Sequence, residues 1–109
     1  MKFEAYRGSD SGLYFRLVDN LGKILLISEG HGQKENVINN IEAIKKNLPS
    51  IHTIEKLETK KGVYYFKLKS ADGHVIVTST AFNSAEMRDE WLKDLQKKAT
   101  NMQVVDNIN

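Results

Sequence analysis

The sequence contains no cysteine. A disulfide framework and every cysteine-ligated metal site are therefore excluded. One proline and seven glycines in 109 residues rule out a collagen-like repeat, and 40% hydrophobic residues rule out a wholly disordered chain. No long apolar run is present, so no segment suits a membrane span. The opening residues, Met1 to Arg7, carry no apolar stretch of signal-peptide length. The expectation is a cytoplasmic protein with no membrane partner. Nor is either charge in excess: 16 basic and 14 acidic residues leave a net charge of +2. That balance is too even to steer the chain strongly toward nucleic acid. The length fits a single domain over residues 1–109.

What is present is an internal repeat. Shifted by 51 positions, the chain matches itself without a gap. Tyr14-Phe15-Arg16-Leu17 falls on Tyr65-Phe66-Lys67-Leu68, Gly22 on Gly73, Ser28 on Ser79 and Glu35 on Glu86. Repeat 1 spans about 2–55 and repeat 2 about 53–107. Each begins with a short strand, Lys2 to Arg7 or Ile54 to Glu58. Turn formers follow, Gly8 to Gly12 or Thr59 to Gly62, and then an aromatic and aliphatic strand, Leu13 to Asp19 or Val63 to Ser70. Asp72-Gly73 is a hairpin turn signal, with Asn20-Leu21-Gly22 as its twin. The third strands are Lys23 to Glu29 and His74 to Thr80.

The period then changes from two to 3.6. Val37, Ile38, Ile41, Ile44 and Leu48 share one helical stripe, as do Met87, Trp91, Leu92, Leu95 and Ala99. Asn83 with Glu86 reads as a capping box, Gly32 with Glu35 as a weaker start, and Pro49 as the stop of the first helix. Three strands and a helix bury little apolar area alone, so the two halves are expected to share one core. The predicted fold is α+β: one mainly antiparallel sheet with both helices on one face.

These residues resemble the YegP-like family of small bacterial proteins. The resemblance rests on Phe15-Arg16-Leu17, Gly22, Ser28-Glu29-Gly30-His31 and Ile44-Lys45-Lys46-Asn47. It rests also on a second copy, Phe66 to Gly73 followed by Ser79-Thr80-Ala81-Phe82. It covers about Lys2 to Asn107. Family members carry the module once and dimerise, or twice in tandem. The resemblance thus implies two β-β-β-α-β repeats whose C-terminal strands are exchanged, and a monomer, because the tandem mimics a dimer. His52 to Leu57 is long enough to close one repeat while opening the next, and Gln103 to Asp106 is the matching final strand. The sequence departs from the family at Asn40 and Trp91, where a small helical residue is usual, and at His31, where an aromatic ring is usual. The family's role is not established, so the resemblance carries over no functional residue.

No catalytic constellation stands out. His31, His52 and His74 lie in a loop and at two strand starts, without the spacing of helical metal pairs, and read as turn or surface residues. Glu29, Glu42, Glu55 and Glu58 fall on strand ends and a helix surface, where solvation explains them. No serine sits in a Gly-x-Ser-x-Gly elbow. The run Ser28 to Gly32 could offer amides to an anion before a helix, but its spacing fits neither a P-loop nor a dinucleotide site. Strand alternation leaves one patterned surface. Phe15, Leu17, Phe66 and Leu68 face the helices, and Tyr14, Arg16, Tyr65, Lys67 and Lys69 face the other way. Those five residues are the candidate binding face. The expected function is a non-enzymatic binding or accessory module without cofactor, metal or catalytic residue, its partner unidentified. The alternative is single-stranded nucleic-acid binding on that face, where rings stack bases and cations meet phosphates. A merely solvated sheet face explains the same pattern.

Overall fold

The computed structural model describes residues 1–48, 54–70 and 73–108. Pro49, His52, Thr53 and Asp72, which enter the expected helix stop, linker and hairpin turn, lie outside the described residues. The elements run β1 (Lys2–Arg7), β2 (Leu13–Val18), β3 (Ile24–Ser28), α1 (Lys34–Asn47), β4 (Ile54–Glu58), β5 (Tyr64–Lys69), β6 (Val75–Ser79), α2 (Ala85–Lys98) and β7 (Gln103–Asn107). A short 3₁₀ turn, Ala99–Asn101, joins α2 to β7. β2, β3 and both expected partners in the second half are shorter at their ends than alternation predicts. Their end residues belong to the turns: the Asp19 amide donates to the Lys23 carbonyl at 3.0 Å, and Ser70 to His74 at 2.8 Å.

The turns fix the register. Gly22 and Gly73 have φ of +84° and +91°, a region open to glycine and costly for a residue with a Cβ. At the preceding turn Gly62 has φ +78°, and the position 51 residues earlier is Ser11, at +67°. Both third strands also repeat one side-chain device. The Ser28 hydroxyl accepts the Phe15 amide at 2.8 Å and donates to the Glu29 carbonyl at 2.9 Å. The Ser79 hydroxyl accepts the Phe66 amide at 2.9 Å and donates to the Thr80 carbonyl at 2.8 Å. Each serine satisfies a strand amide that the ladder leaves over.

One mixed sheet of seven strands results, in the order β4-β5-β6-β3-β2-β1-β7. β7 runs parallel to β1, and the other described pairings are antiparallel. At the centre, Ile27 of β3 faces Thr78 of β6. β7, which follows α2, thus lies beside the first strand of the chain, whereas β4, which follows α1, lies beside β5. Phe3, Phe15, Leu17, Phe66, Leu68 and Val77 are buried on one sheet face. Val37, Ile41 and Ile44 of α1 and Leu92 and Leu95 of α2 close one core over them. This burial is the main stabilising term. No helix among the described residues is long and apolar enough to cross a membrane.

The helix starts correct two expectations. α2 is capped by Ser84, not Asn83: its hydroxyl accepts the Met87 amide at 3.1 Å. The helix begins at Ala85, and only the residue immediately before it can reach that amide. α1 starts after Gln33, without a side-chain cap. Met87 is not a core residue but 51% exposed, and Arg88 takes the inward place at 8%. Arg88 is in phase with Leu92, Leu95 and Ala99. Its charge is tolerated there because Nε donates to Asp89 at 2.9 Å, Nη1 donates to the Leu57 carbonyl at 3.2 Å and the guanidinium lies 5.6 Å from the centre of the Tyr64 ring.

Candidate binding surfaces

The exposed sheet face carries the five candidate residues, but with partners that alternation alone does not reveal. Across the sheet, Glu55, Lys67, Thr78, Ile27, Arg16 and Glu4 are successive cross-strand neighbours. Arg16 is clamped by Glu4, with Nη2 and Nε at 2.6 and 2.8 Å from the same carboxylate oxygen. Lys69 pairs with Glu55 at 2.9 Å. Lys67 makes no ion pair among the described residues. The rings are engaged as well. Arg16 lies 4.2 Å over the Tyr6 ring, and Tyr6 stacks on Tyr14 with centroids 5.7 Å apart. A Cβ on Gly8 would stand 2.6 Å from the Tyr14 ring, so glycine is required for that ring to lie against the β1–β2 turn. The Tyr14 hydroxyl donates to Asp10 at 2.6 Å. That bond holds the Asp10 carboxyl below its ordinary pKa and raises the Tyr14 phenol. Tyr65 has Leu57 as its cross-strand neighbour. Among the described residues the face therefore offers one cation without an ion pair and few free ring surfaces.

Glu4, Glu55 and Tyr6 are the residues that sequence reasoning missed on this face. The signal existed, since alternation in β1 and β4 puts them on the side of Tyr14 and Tyr65. Their pairing needed the register.

The second surface is a cleft of about 420 Å³ between the loop after β3 and the β5–β6 hairpin. Glu29, His31 and Asn40 line it from one side, and His74, Val75 and Ile76 from the other. The loop is pinned by paired bonds between the backbones of His31 and Leu13, at 2.8 and 3.2 Å. The Glu29 amide donates to the Ile76 carbonyl at 3.2 Å. Two amides of the Ser28–Gly32 run are thus already used, and the segment is no ready anion nest. His31 Nε2 lies 2.7 Å from the Asn40 amide nitrogen. Its Nδ1 is buried without a hydrogen-bond partner among the described residues. His31 and His74 do not join Glu29 as a metal site: among the described residues no three such groups converge. His52 lies outside the described residues.

The position 51 residues after His31 is Phe82, and after Asn40 it is Trp91. Phe82 makes the same paired backbone bonds, with Tyr64, at 2.7 and 3.0 Å. Its ring lies 5.8 Å from Trp91, which lies 6.0 Å from Phe66. Between loop and helix one half of the chain therefore brings two aromatic rings together where the other half brings together a polar pair.

Comparison with known proteins agrees with this architecture. A family described as "Domain of unknown function (DUF1508)" matches residues 9–55. A UPF0339 protein in the ptx operon 5′ region of Stutzerimonas stutzeri is 31% identical over 104 residues, covering 95% of this chain and 94% of the relative. The UPF0339 protein YegP of Escherichia coli K12 is 29% identical over 105 residues, covering 96% of each. The solution structure of E. coli YegP, a protein of unknown function, superposes with a TM-score of 0.86 at 28% identity, over 99% of this chain and 93% of that one. A UPF0339 protein of Shewanella oneidensis gives a TM-score of 0.85 at 28% identity, over 96% and 89%. Identity along nearly the whole length, together with the same seven-stranded fold in solved relatives, places the chain in the UPF0339, or YegP-like, family, whose function is unknown.

Proposed function

We propose that the protein is a small non-enzymatic binding module whose ligand site is the cleft between the His31 loop and the β5–β6 hairpin. The carrying observation is the exchange of an aromatic pair for a polar one. Phe82 and Trp91 meet ring to ring, whereas His31 and Asn40 meet through a polar contact and line a cleft of about 420 Å³. That volume falls within the range of about 300–1,000 Å³ usual for small-molecule sites, and the lining mixes apolar walls with a few polar groups. The serines support a non-catalytic reading, because Ser28 and Ser79 spend their hydroxyls on strand amides and carbonyls. The chain is read as one domain of two tandem β-β-β-α-β repeats with exchanged final strands, acting as a monomer. The matched turns and serines support this, as does a family match confined to residues 9–55.

Single-stranded nucleic-acid binding on the open face is the weaker reading. Glu4 and Glu55 neutralise two of its three cations, and its best ring is covered on both sides.

The test is an NMR screen of small fragments against the ¹⁵N-labelled chain. Saturable shifts at His31, Asn40 and Ile76 that vanish in the His31→Phe/Asn40→Trp double variant support the cleft. Shifts confined to Tyr65 and Lys67, or unchanged in the double variant, overturn it.

A further inference from the structure

β4 has the place of β1, shifted by 51 positions, but not its cover. β7 runs parallel beside β1, from Lys2 opposite Gln103 to Tyr6 opposite Asn107. Among the described residues β4 pairs with β5 alone and stands at the sheet edge. The positions 51 residues before β7 are 52–56, which overlap β4 itself, so no separate strand follows α1 to lie beside β4. Exposure follows the difference. Phe3 and Ala5, which face the core beside β7, are fully buried, whereas their counterparts Ile54 and Lys56 are half-buried and exposed.

The backbone of β4 is turned the right way for a parallel strand. In β5 the Tyr64 amide donates to the Phe82 carbonyl and the Phe66 amide to Ser79 Oγ, so both face β6. The alternate residues, Tyr65 and Lys67, then face β4 and engage Leu57 and Glu55. The backbone groups of Ile54, Lys56 and Glu58 therefore point outward, as those of Phe3 and Ala5 point to β7.

The side chains specify the strand that fits. On β1 the added strand sets Val104 beside Phe3 on the core and Asp106 beside Ala5, and the Asp106 carboxylate meets Lys34 of α1 at 2.6 Å. In the second half the place of Lys34 is taken by Ala85, and the place of Ala5 by Lys56. The cation is supplied there by the edge strand itself. Lys56 reaches Asp89 at 3.2 Å, yet its side chain is 48% exposed, and Asp89 keeps its 2.9 Å bond from Arg88 without it. An acid on an added strand would stand beside Lys56 as Asp106 stands beside Ala5. A second copy joined β4 to β4 about Lys56 would instead set two lysines opposite each other, a like-charge pair that opposes edge-to-edge pairing.

We infer that the outer edge of β4 is a docking site for an extended segment of another protein, added as a further parallel strand with an apolar residue beside Ile54 and an aspartate or glutamate two residues later beside Lys56. Main-chain bonds to Ile54 and Lys56 hold the segment, and the side chains of those two residues select it. This surface lies apart from the His31 cleft and does not rest on it.

The probe is the sequence Gln103 to Ile108 as a capped peptide, which carries valine and aspartate at that spacing. It is titrated to millimolar concentration against the full ¹⁵N-labelled chain. Saturable shifts are expected at the Ile54, Lys56 and Glu58 amides, with slower hydrogen exchange at Lys56. The same peptide with lysine in place of its aspartate should bind at least about threefold more weakly. Lys56→Gln should bring the two peptides within about twofold of each other. Lys56→Pro removes the outward amide, at an edge position that tolerates proline, and should abolish the shifts from both. Should the proline variant fail to fold, the glutamine variant carries the test. Equal binding of the two peptides to the parent chain would overturn the acidic partner. Shifts confined to β1, where the peptide would displace β7, or no saturable shift at β4, would overturn the site. Shifts of the β4 amides with protein concentration alone would make a second copy the occupant and overturn the proposal.

Discussion

At Ser28 and at Ser79 the chain makes the same junction, one hydroxyl accepting a phenylalanine amide and donating to the next carbonyl. Three residues further on the halves part. His31 meets Asn40 through a polar contact and the pair lines a cleft, whereas Phe82 meets Trp91 ring to ring. The same divergence marks the helix starts, where Val37 is buried in α1 and Arg88 in α2. Turns, register and hydrogen-bonded serines hold the backbone in both halves. The residues between loop and helix are free to differ without changing the fold.

The halves differ most at their outer strands. β1 is covered by β7, with Val104 packed on the core, whereas β4 pairs among the described residues only with β5. Deleting residues 103–109 would strip β1 of that cover and remove the buried Ile108. The expected loss is about 2–4 kcal/mol, from lost apolar burial and a bared strand edge, read as a lower urea midpoint. An unchanged midpoint would mean that β7 contributes nothing to the sheet.

The serine junctions should resemble each other in kind and differ in degree. Ser28 is buried and Ser79 partly exposed. Ser28→Ala leaves a buried amide unmet and should cost about 2 kcal/mol, with Ser79→Ala nearer about 1 kcal/mol because water can reach the orphan. Denaturant unfolding of both variants checks the ranking, and equal costs would contradict it.

At the hairpin turns the halves should be indistinguishable. No atom stands within 4 Å of a Cβ built on Gly22 or Gly73, so Gly→Val there meets only backbone strain. Each is expected to cost about 1–2 kcal/mol, equal within experimental error. The other turn breaks the likeness: Ser11→Gly should stabilise by a few tenths of a kcal/mol to about 1 kcal/mol, and Gly62→Ser should do the reverse. Thermal melts of the four variants test this.

Acid sensitivity should lie partly with the second half. The Asp89 carboxyl is held below its ordinary value of 3.8, first by the hydrogen bond from Arg88 and then by Lys56. Its position 51 residues earlier is Ile38, which does not titrate. A carboxyl lowered on folding contributes stability fully present above its unfolded pKa and lost as pH falls through the folded one. Asp89→Asn should therefore flatten the fall in stability below about pH 4, by less than about 1 kcal/mol because the Asp89 carboxylate is exposed to solvent. Melting curves of the two proteins in acid that differ by a constant at every pH would contradict it.

Much of this was legible in the sequence where periodicity speaks. The ranges of β1 and β4 match those read from alternation, and the inward stripes of α1 and of Leu92, Leu95 and Ala99 follow from the helical period. Arg88 escaped because hydropathy assigns arginine to the surface. Its burial depends on Asp89, the Leu57 carbonyl and Tyr64, which only the fold brings together. The candidate face was placed on the correct side of the sheet, but Glu4 and Glu55 come from neighbouring strands, so its neutralisation needed the register. The cleft was visible only as unusual residues at His31 and Asn40. A sequence shows that two side chains are polar, not that a cleft lies beside them.

The central claim is that a polar pair and an aromatic pair occupy the same junction of a common scaffold. A double-mutant cycle of His31→Phe and Asn40→Trp, measured by urea unfolding of the full chain, tests it most directly. The prediction is a double variant more stable than the parent, with a favourable coupling of about 0.5–1.5 kcal/mol, as expected of two rings that meet. Rings that add independently, or a double variant less stable than either single one, would show that the first half's junction does not accept the second half's rings, and would contradict the account.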